Sequence, residues 1–384
     1  MPEPGYLMTP GPTPIPAAVE AAMAEPVVYH RGPEFKEILG RVLPGLSEVF
    51  RTARPVVLLT ASGTAAMESA VANLCSPGDR VLVVVAGNFG ERFAKIAASY
   101  GCDVVELSYE WGETPDPADV ASALAEREAR AVLCTHCETS TGVVADVRAI
   151  AEHARSAGVL CVVDAISSLG AVPLETDAWG IDVVVSGSQK ALMTPPGLAF
   201  ATPSAAALEA ARRATSPRFY LDWERALSSQ EELLNPFTPA VSLVRGLDAA
   251  LELLLADGLE AAWERSRRLG AAARAGVKAM GLELFSPDED RSAVVTAIRA
   301  PDGVDGAAIV RSMRERSGVT AAGGQGRLRG KVVRIGHVGY VGIDDVAAAL
   351  AALELALAEA GAGVERGVAA DSARASFAGA VRAT

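Results

Sequence analysis

From Val56 onward, short apolar runs alternate with stretches whose apolar residues recur at helical spacing. The run "VVLLT" leads into a helical pattern over about 65–74, "RVLVVV" into one over about 91–100, and "DVVELS" into one over about 117–128. "RAVLCT" is followed by a helical pattern over about 147–157, and "VLCVVD", "DVVVSG" and "GLAFAT" complete the series. Short β-branched runs that alternate with helices predict an α/β fold: a mainly parallel mixed sheet, buried on both faces and flanked by helices. In open sheets of this kind, chemistry gathers beyond the carboxyl ends of the strands.

A helical stretch over 241–254 leads away from this unit, and the texture then changes. A helix over about 258–279, strands near 281–285 and 292–299, a helix over 305–317, a strand over 331–335 and a helix over 342–360 read as a smaller α+β C-terminal domain. The division falls near Gly258, giving a large domain over 16–257 and a small one over 258–360. The last stretch, 361–384, is small, polar and aperiodic and reads as a flexible tail. "GGQGRLRG", starting at Gly323, reads as a flexible loop near the substrate entrance. No internal repeat occurs.

Bulk properties narrow the function. The 35 basic and 47 acidic residues give a net charge of −12, which argues against nucleic acid or an anionic membrane as a partner. Cys75, Cys102, Cys134, Cys137 and Cys161 form no disulfide framework, and their odd number fits a reducing, cytoplasmic setting. "MPEPGYLMTPGPTPIP" lacks the basic patch and apolar core of a signal peptide, and no apolar run approaches membrane-spanning length.

The strand ends hold the candidate chemistry. In "TASGTAAMES", Ser62, Gly63 and Thr64 sit where a strand turns into a helix, either as an ordinary N-cap or as an anion site suited to phosphate. No G-x-x-x-x-G-K-[ST] run supports a P-loop. Phe89, just past "RVLVVV", can stack on a planar ligand or pack on its own helix. In "LCTHCETSTG", Cys134 and Cys137 have C-x-x-C spacing, but zinc would need a second ligand pair. His30, His136, His153 and His337 show no metal-ligand spacing either, so no metal is expected. Thr139 is placed to bond a ligand. Asp164 ends an apolar run, where an acid is costly unless it caps a segment or pairs with a protonated ring nitrogen. Lys190, at the end of "DVVVSGSQK", faces the same constraint. A loop-start surface lysine would explain Lys190 alone. A hydroxyl-rich helix start, a ring, an acid and a lysine on one sheet make a set that pyridoxal phosphate needs.

Taken in order, "MTPGPTPIP", "ASGTAAMES", "GNFGERF", "HCETSTG", "VVDAISSLGAVPLE", "DVVVSGSQKALMTPPGLAF", "NPFTPAVSL" and "KVVRIGHVG" resemble the class V aminotransferases, nearest the alanine–glyoxylate and serine–glyoxylate (serine–pyruvate) branch. The match is collinear over roughly residues 7–357. The resemblance implies the fold type I of pyridoxal-phosphate-dependent transferases, a homodimer with shared active sites, and an N-terminal segment, 1–15, near the site. It implies that Lys190 forms the Schiff base with pyridoxal 5'-phosphate and moves the Cα proton, and that Asp164 holds the pyridinium nitrogen. It further implies Ser62, Gly63, Thr64 and Gln189 at the phosphate, Thr238 reaching the phosphate from the other subunit, Phe89 on the ring and Thr139 near the phenolic oxygen. Arg334 matches the arginine that clamps the substrate carboxylate. Phe89 replaces the tryptophan of some members, and Asn235 stands where animal members place a tyrosine near the phosphate. His30, in "YHRGPEF", matches a segment near the subunit contact, or is a plain loop residue.

The resulting expectation is a ping-pong transaminase that moves an amino group from alanine or serine to glyoxylate or pyruvate. A phosphonate aminotransferase or a lyase on the same fold is the alternative. A desulfurase-type lyase needs a nucleophilic cysteine from the C-terminal part, and the last cysteine here is Cys161. A nicotinamide enzyme would need G-x-G-x-x-G after the first strand, and a binding protein that had lost its chemistry would not need Lys190 and Asp164.

Overall fold

The computed structural model describes residues 5–286 and 293–381. Residue 292 of the expected second strand, and the ends 1–4 and 382–384, lie outside the described residues. The chain enters through β1 (Tyr6–Leu7), α1 (Ala17–Ala24) and α2 (Pro33–Val49). An alternating series follows: β2 (Val57–Leu59), α3 (Gly63–Leu74), β3 (Arg80–Val85), α4 (Asn88–Ser99), β4 (Asp103–Ser108), α5 (Pro117–Glu126) and β5 (Ala131–Thr135). A small hairpin, β6 (Cys137–Glu138) and β7 (Val143–Val144), precedes α6 (Val147–Ser156), β8 (Leu160–Asp164), β9 (Val183–Gly187) and β10 (Ala199–Pro203). Helices α7 (Ala205–Arg213), α8 (Trp223–Glu231), α9 (Val241–Leu255) and α10 (Leu259–Ala279) lead to the C-terminal part.

The central sheet has the order β2-β10-β9-β8-β5-β3-β4, with β10 antiparallel to both of its neighbours and the other pairs parallel. Its strands are apolar at nearly every position because each face is covered. Leu82, Val84, Val132, Cys134 and Val163 point into a cluster with α2, α5, α6 and α9. Their neighbours Val81, Val83, Val85, Leu133 and Val162 point into a second cluster with α3, α4, α7 and α8. This two-residue alternation of faces is the strand period, and it produces three layers from an apparently uniform apolar text.

The C-terminal part contains β11 (Val295–Arg299), α11 (Gly306–Ser317), β12 (Val319–Thr320), β13 (Ala322–Gly323), β14 (Val332–Gly336), α12 (Ile343–Glu359) and α13 (Ala369–Val381). The antiparallel order β11-β14-β13 and the helices α10 to α13 enclose a separate apolar cluster that also takes in Met8. Helix α10 joins the two parts: Leu259 and Ala262 belong to the first cluster, Leu269, Ala273 and Val277 to this one. Strand β1 pairs in parallel with β12, which draws the N-terminal segment across the molecule.

Four features differ from the pattern read in the sequence. Helix α2 buries Phe35, Ile38, Leu39, Val42, Leu46 and Val49 at helical spacing, although Gly40, Pro44 and Gly45 are helix breakers that tertiary packing overrides. The expected strand at 281–285 reduces to one bridge, Leu284 to Ile298. The expected flexible tail contains α13, which packs on α10 and α12; Ala369 and Ala373 are buried, and Arg268 lies 4.0 Å from the centroid of the Phe377 ring. Alanines carry little hydrophobic signal, yet their small size lets helices approach. The expected flexible loop at Gly323 is tied down by β13, by a 3₁₀ turn at Gly326–Leu328 and by Arg327, which pairs with Glu91 at 2.9 Å and lies over the Trp111 ring. Among the described residues no helix is long and apolar enough to cross a membrane.

Candidate functional site

Lys190 follows β9, and Asp164 ends β8, the adjacent parallel strand. Of the five lysines in the chain, Lys190 alone is buried, at 8% exposure. Its Nζ donates to the carbonyl of Pro10, and a Cβ at Gly11 would collide with its side chain, so the N-terminal segment lies directly on it. Burial lowers the amine to about 8; the Arg334 and Arg92 charges push the same way, while Cys137 and Asp164 oppose them. Asp164 is also buried, and burial pushes its carboxyl up to about 7 despite a 2.9 Å bond from Ile166 N and the Lys190 and Arg92 charges. Among the described residues Oδ1 alone of its two oxygens has a hydrogen-bond partner. An amine lowered and an acid raised, each mainly by burial, form the kind of pair found at reactive sites.

The start of α3 lies at the end of β2 and brings Ser62, Gly63 and Thr64 together. Ser62 occupies the N-cap position but makes no capping bond, so its hydroxyl and the first N–H groups of the helix stay available. Arg92 Nη1 donates to Thr64 Oγ1 at 3.2 Å, and its guanidinium lies 4.7 Å from the centroid of the Phe89 ring. Phe89 is in the first turn of α4 and half-buried. Gln189, beside Lys190, has its Oε1 buried without a partner among the described residues.

Thr139 follows the β6 strand; its Oγ1 is 3.0 Å from Ser167 Oγ. Its carbonyl accepts from Arg334 Nη1 at 2.6 Å, while Arg334 Nε and Nη2 donate to the Gly323 carbonyl at 3.0 and 2.8 Å. Two backbone carbonyls thus fix the guanidinium plane on β14. Arg334 is 4% exposed, and burial lowers it to about 10 against the charge of Glu138.

Thr238 stands apart. It is exposed and lines a surface cavity of about 540 Å³ with Tyr29, His30 and Val241, a cavity that neither Lys190 nor Asp164 lines. Asn235 Oδ1 is buried and unpartnered among the described residues. A larger cavity of about 920 Å³, between α2, the β2 edge, α7 and α8, is lined by none of the candidate residues. Among the described residues no group of three or more His, Cys, Asp or Glu side chains could hold a metal ion, and all five cysteines are unpaired. Arg92, Glu138 and the Pro10 carbonyl were not picked out by the sequence. Arg92 reads as a solvated helix residue, and the others meet the site only through the fold.

The donor set suits a planar aldehyde bearing a phosphate. The uncapped helix start and the half-satisfied Asp164 each lack a partner that such a group has, and the buried Lys190, held by the Pro10 carbonyl, supplies the amine that an aldehyde needs. The family model described as aminotransferase class-V matches residues 5–346. The chain is 43% identical to a protein of a Synechococcus strain named soluble hydrogenase, small subunit, covering 94% of this chain and 95% of that one. It is 36% identical to the serine–glyoxylate aminotransferase of Methylorubrum extorquens, covering 94% and 93%. Its structure is similar to that of an alanine–glyoxylate aminotransferase from Nostoc sp., with a TM-score of 0.89, 34% identity and coverage of 93% and 96%.

Proposed function

The chain belongs to the class V aminotransferases and is a pyridoxal-phosphate-dependent enzyme; on that premise we propose that it moves the amino group of alanine or serine to glyoxylate or pyruvate in two half-reactions at one site. The observation that carries the proposal is the buried Lys190 within electrostatic reach of a buried acid, Asp164, and a buried arginine, Arg334. Pyridoxal phosphate, when bound, supplies an aldehyde carbon and an electron-accepting ring.

The chain's residues take the following parts. Lys190 Nζ would hold the cofactor and, once released from it, would take up the substrate Cα proton. A pKa near 8 leaves a useful fraction of free amine at neutral pH. Asp164 would accept the pyridinium N–H. Ser62, Gly63, Thr64 and Gln189 bind phosphate, and Arg92 adds the positive charge that these neutral donors lack. Phe89 would cover the ring and Thr139 would bond the phenolic oxygen. Arg334, already oriented by the Gly323 and Thr139 carbonyls, grips the substrate carboxylate. Because amino and oxo acid share that carboxylate, Arg334 sets polarity and leaves the side chain to the rest of the site.

A homodimer with shared sites is part of the reading. Thr238 would reach the phosphate of a second copy, and the exposed Val27, Tyr29 and Phe219 suit burial between copies. The unpaired cysteines support a cytoplasmic setting. The separate apolar clusters support a large domain to residue 257 and a small one from 258, with α13 belonging to the latter. The lyase alternative is not favoured, since Cys161 is buried within β8. The hydrogenase name of the Synechococcus protein is not carried over: the residues gathered here are an amine, an acid, an arginine and hydroxyls.

The test is amino transfer itself. Purified protein with added cofactor should form glycine from glyoxylate at the expense of alanine or serine, with the parallel-line kinetics of two half-reactions. If neither donor yields glycine from glyoxylate, or alanine from pyruvate, the substrate assignment fails.

A further inference from the structure

Glu138 is buried and ionisable, and none of the roles above uses it. Its Oε2 accepts from Phe89 N at 2.9 Å and Gly90 N at 3.2 Å. Its Oε1 accepts from Ser140 N at 3.1 Å and from the Ser140 hydroxyl, whose oxygen also accepts from Asn88 N at 3.1 Å. The first three N–H groups of α4, which helix geometry leaves without partners, are therefore all taken by the 138–140 turn. The same turn carries Thr139, whose carbonyl holds Arg334. Glu138 is also the carboxylate whose charge acts on the buried Arg334 guanidinium.

We infer that Glu138 is a positioning residue, clamping the start of α4 to the Thr139 turn so that Phe89, Thr139 and Arg334 keep one fixed register. The inference rests on the parts given above to Phe89 and Arg334. Gly87 offers an independent handle. Its backbone is extended, a conformation open to any residue. A Cβ there would lie 2.5 Å from the Glu138 side chain and 2.6 Å from Ser140 Oγ, so Gly87→Ala displaces the carboxylate without removing its charge.

The experiment compares Gly87→Ala, Glu138→Gln and Ser140→Ala holoenzymes with the unmodified one, reading KM for L-alanine and for glyoxylate, kcat, and the visible circular dichroism of the bound cofactor. The expected result for Gly87→Ala and Glu138→Gln is a joint rise of both KM values by about 10-fold or more, because one arginine holds both carboxylates. Their visible dichroism should fall while absorbance is kept. Ser140→Ala should move the same readouts by about 3-fold, and it decides if the other variants fail to fold. Wild-type KM values and dichroism alongside a lowered melting temperature would overturn the inference and leave Glu138 as a helix anchor. Arg334→Lys is the control for the underlying reading: if it leaves both KM values unmoved, the clamp assignment fails, and the dichroism alone then judges Glu138.

Discussion

Replacing Asp164 by asparagine should stabilise the cofactor-free protein while damaging the enzyme. Asp164 is buried, accepts one bond from Ile166 N and has its carboxyl raised from 3.8 to about 7, chiefly by burial. A rise of roughly three pH units corresponds to about 4 kcal/mol. The sign follows from where the proton sits. A carboxyl whose folded pKa is raised binds its proton more tightly when folded, so its contribution is complete below about pH 4 and is lost as pH rises towards 7. An asparagine in its place would keep an acceptor for Ile166 N and carry no charge to strand. Thermal melting of the two cofactor-free proteins should therefore lie closest near pH 4 and diverge up to pH 7, with Asp164→Asn the more stable at pH 8. With cofactor bound the order should reverse, because the ring N–H provides the missing partner. Activity should fall by about 10²-fold, the loss of one charge-assisted bond of about 3 kcal/mol. A gap that does not change with pH, or a wild-type protein that is more stable without cofactor at pH 8, would show that Asp164 is not held protonated by burial.

Arg334→Lys keeps the charge but loses the two-pronged edge and the contacts with the Gly323 and Thr139 carbonyls; steady-state kinetics should show KM for amino and oxo acid rising together, by about 10²-fold. A rise for one substrate alone would count against a shared clamp. Lys190 is lowered by burial to about 8, so its free amine grows as pH rises past that value. Stopped-flow uptake of pyridoxal phosphate by the cofactor-free protein should accelerate with a midpoint near pH 8 rather than at the ordinary lysine value. Deleting residues 366–384 removes α13 and the Arg268–Phe377 contact, and should lower the melting temperature by about 2–3 °C, roughly 2 kcal/mol; an unchanged melting temperature would make α13 a passive appendage.

The central sheet was legible because a strand buried on both faces must be apolar at almost every position, and runs such as Val81–Val85 admit few other readings. The tail was not, because Ala369 and Ala373 lie below the contrast on which hydrophobic periodicity depends. Asp164 could be singled out because it ends an apolar run, and Lys190 because it stands in the turn just after one, local anomalies visible without coordinates. Glu138 stands in the polar run "LCTHCETSTG", but its partners Phe89 and Gly90 are 49 and 48 residues away in the chain. Arg92 faces Thr64 across two helices, and the Pro10 carbonyl reaches Lys190 only because β1 pairs with β12. What the text hid was therefore long-range contact rather than residue type.

The lysine that carries the cofactor can be read directly, and Lys190 is the one expected. Borohydride reduction of the holoprotein, followed by digestion and mass spectrometry, fixes the cofactor to whichever lysine holds it. One labelled peptide, containing Lys190, is expected, with loss of that label together with the visible absorbance when L-alanine is added before reduction. Label on Lys36, Lys95, Lys278 or Lys331, or on none of the five, would contradict it.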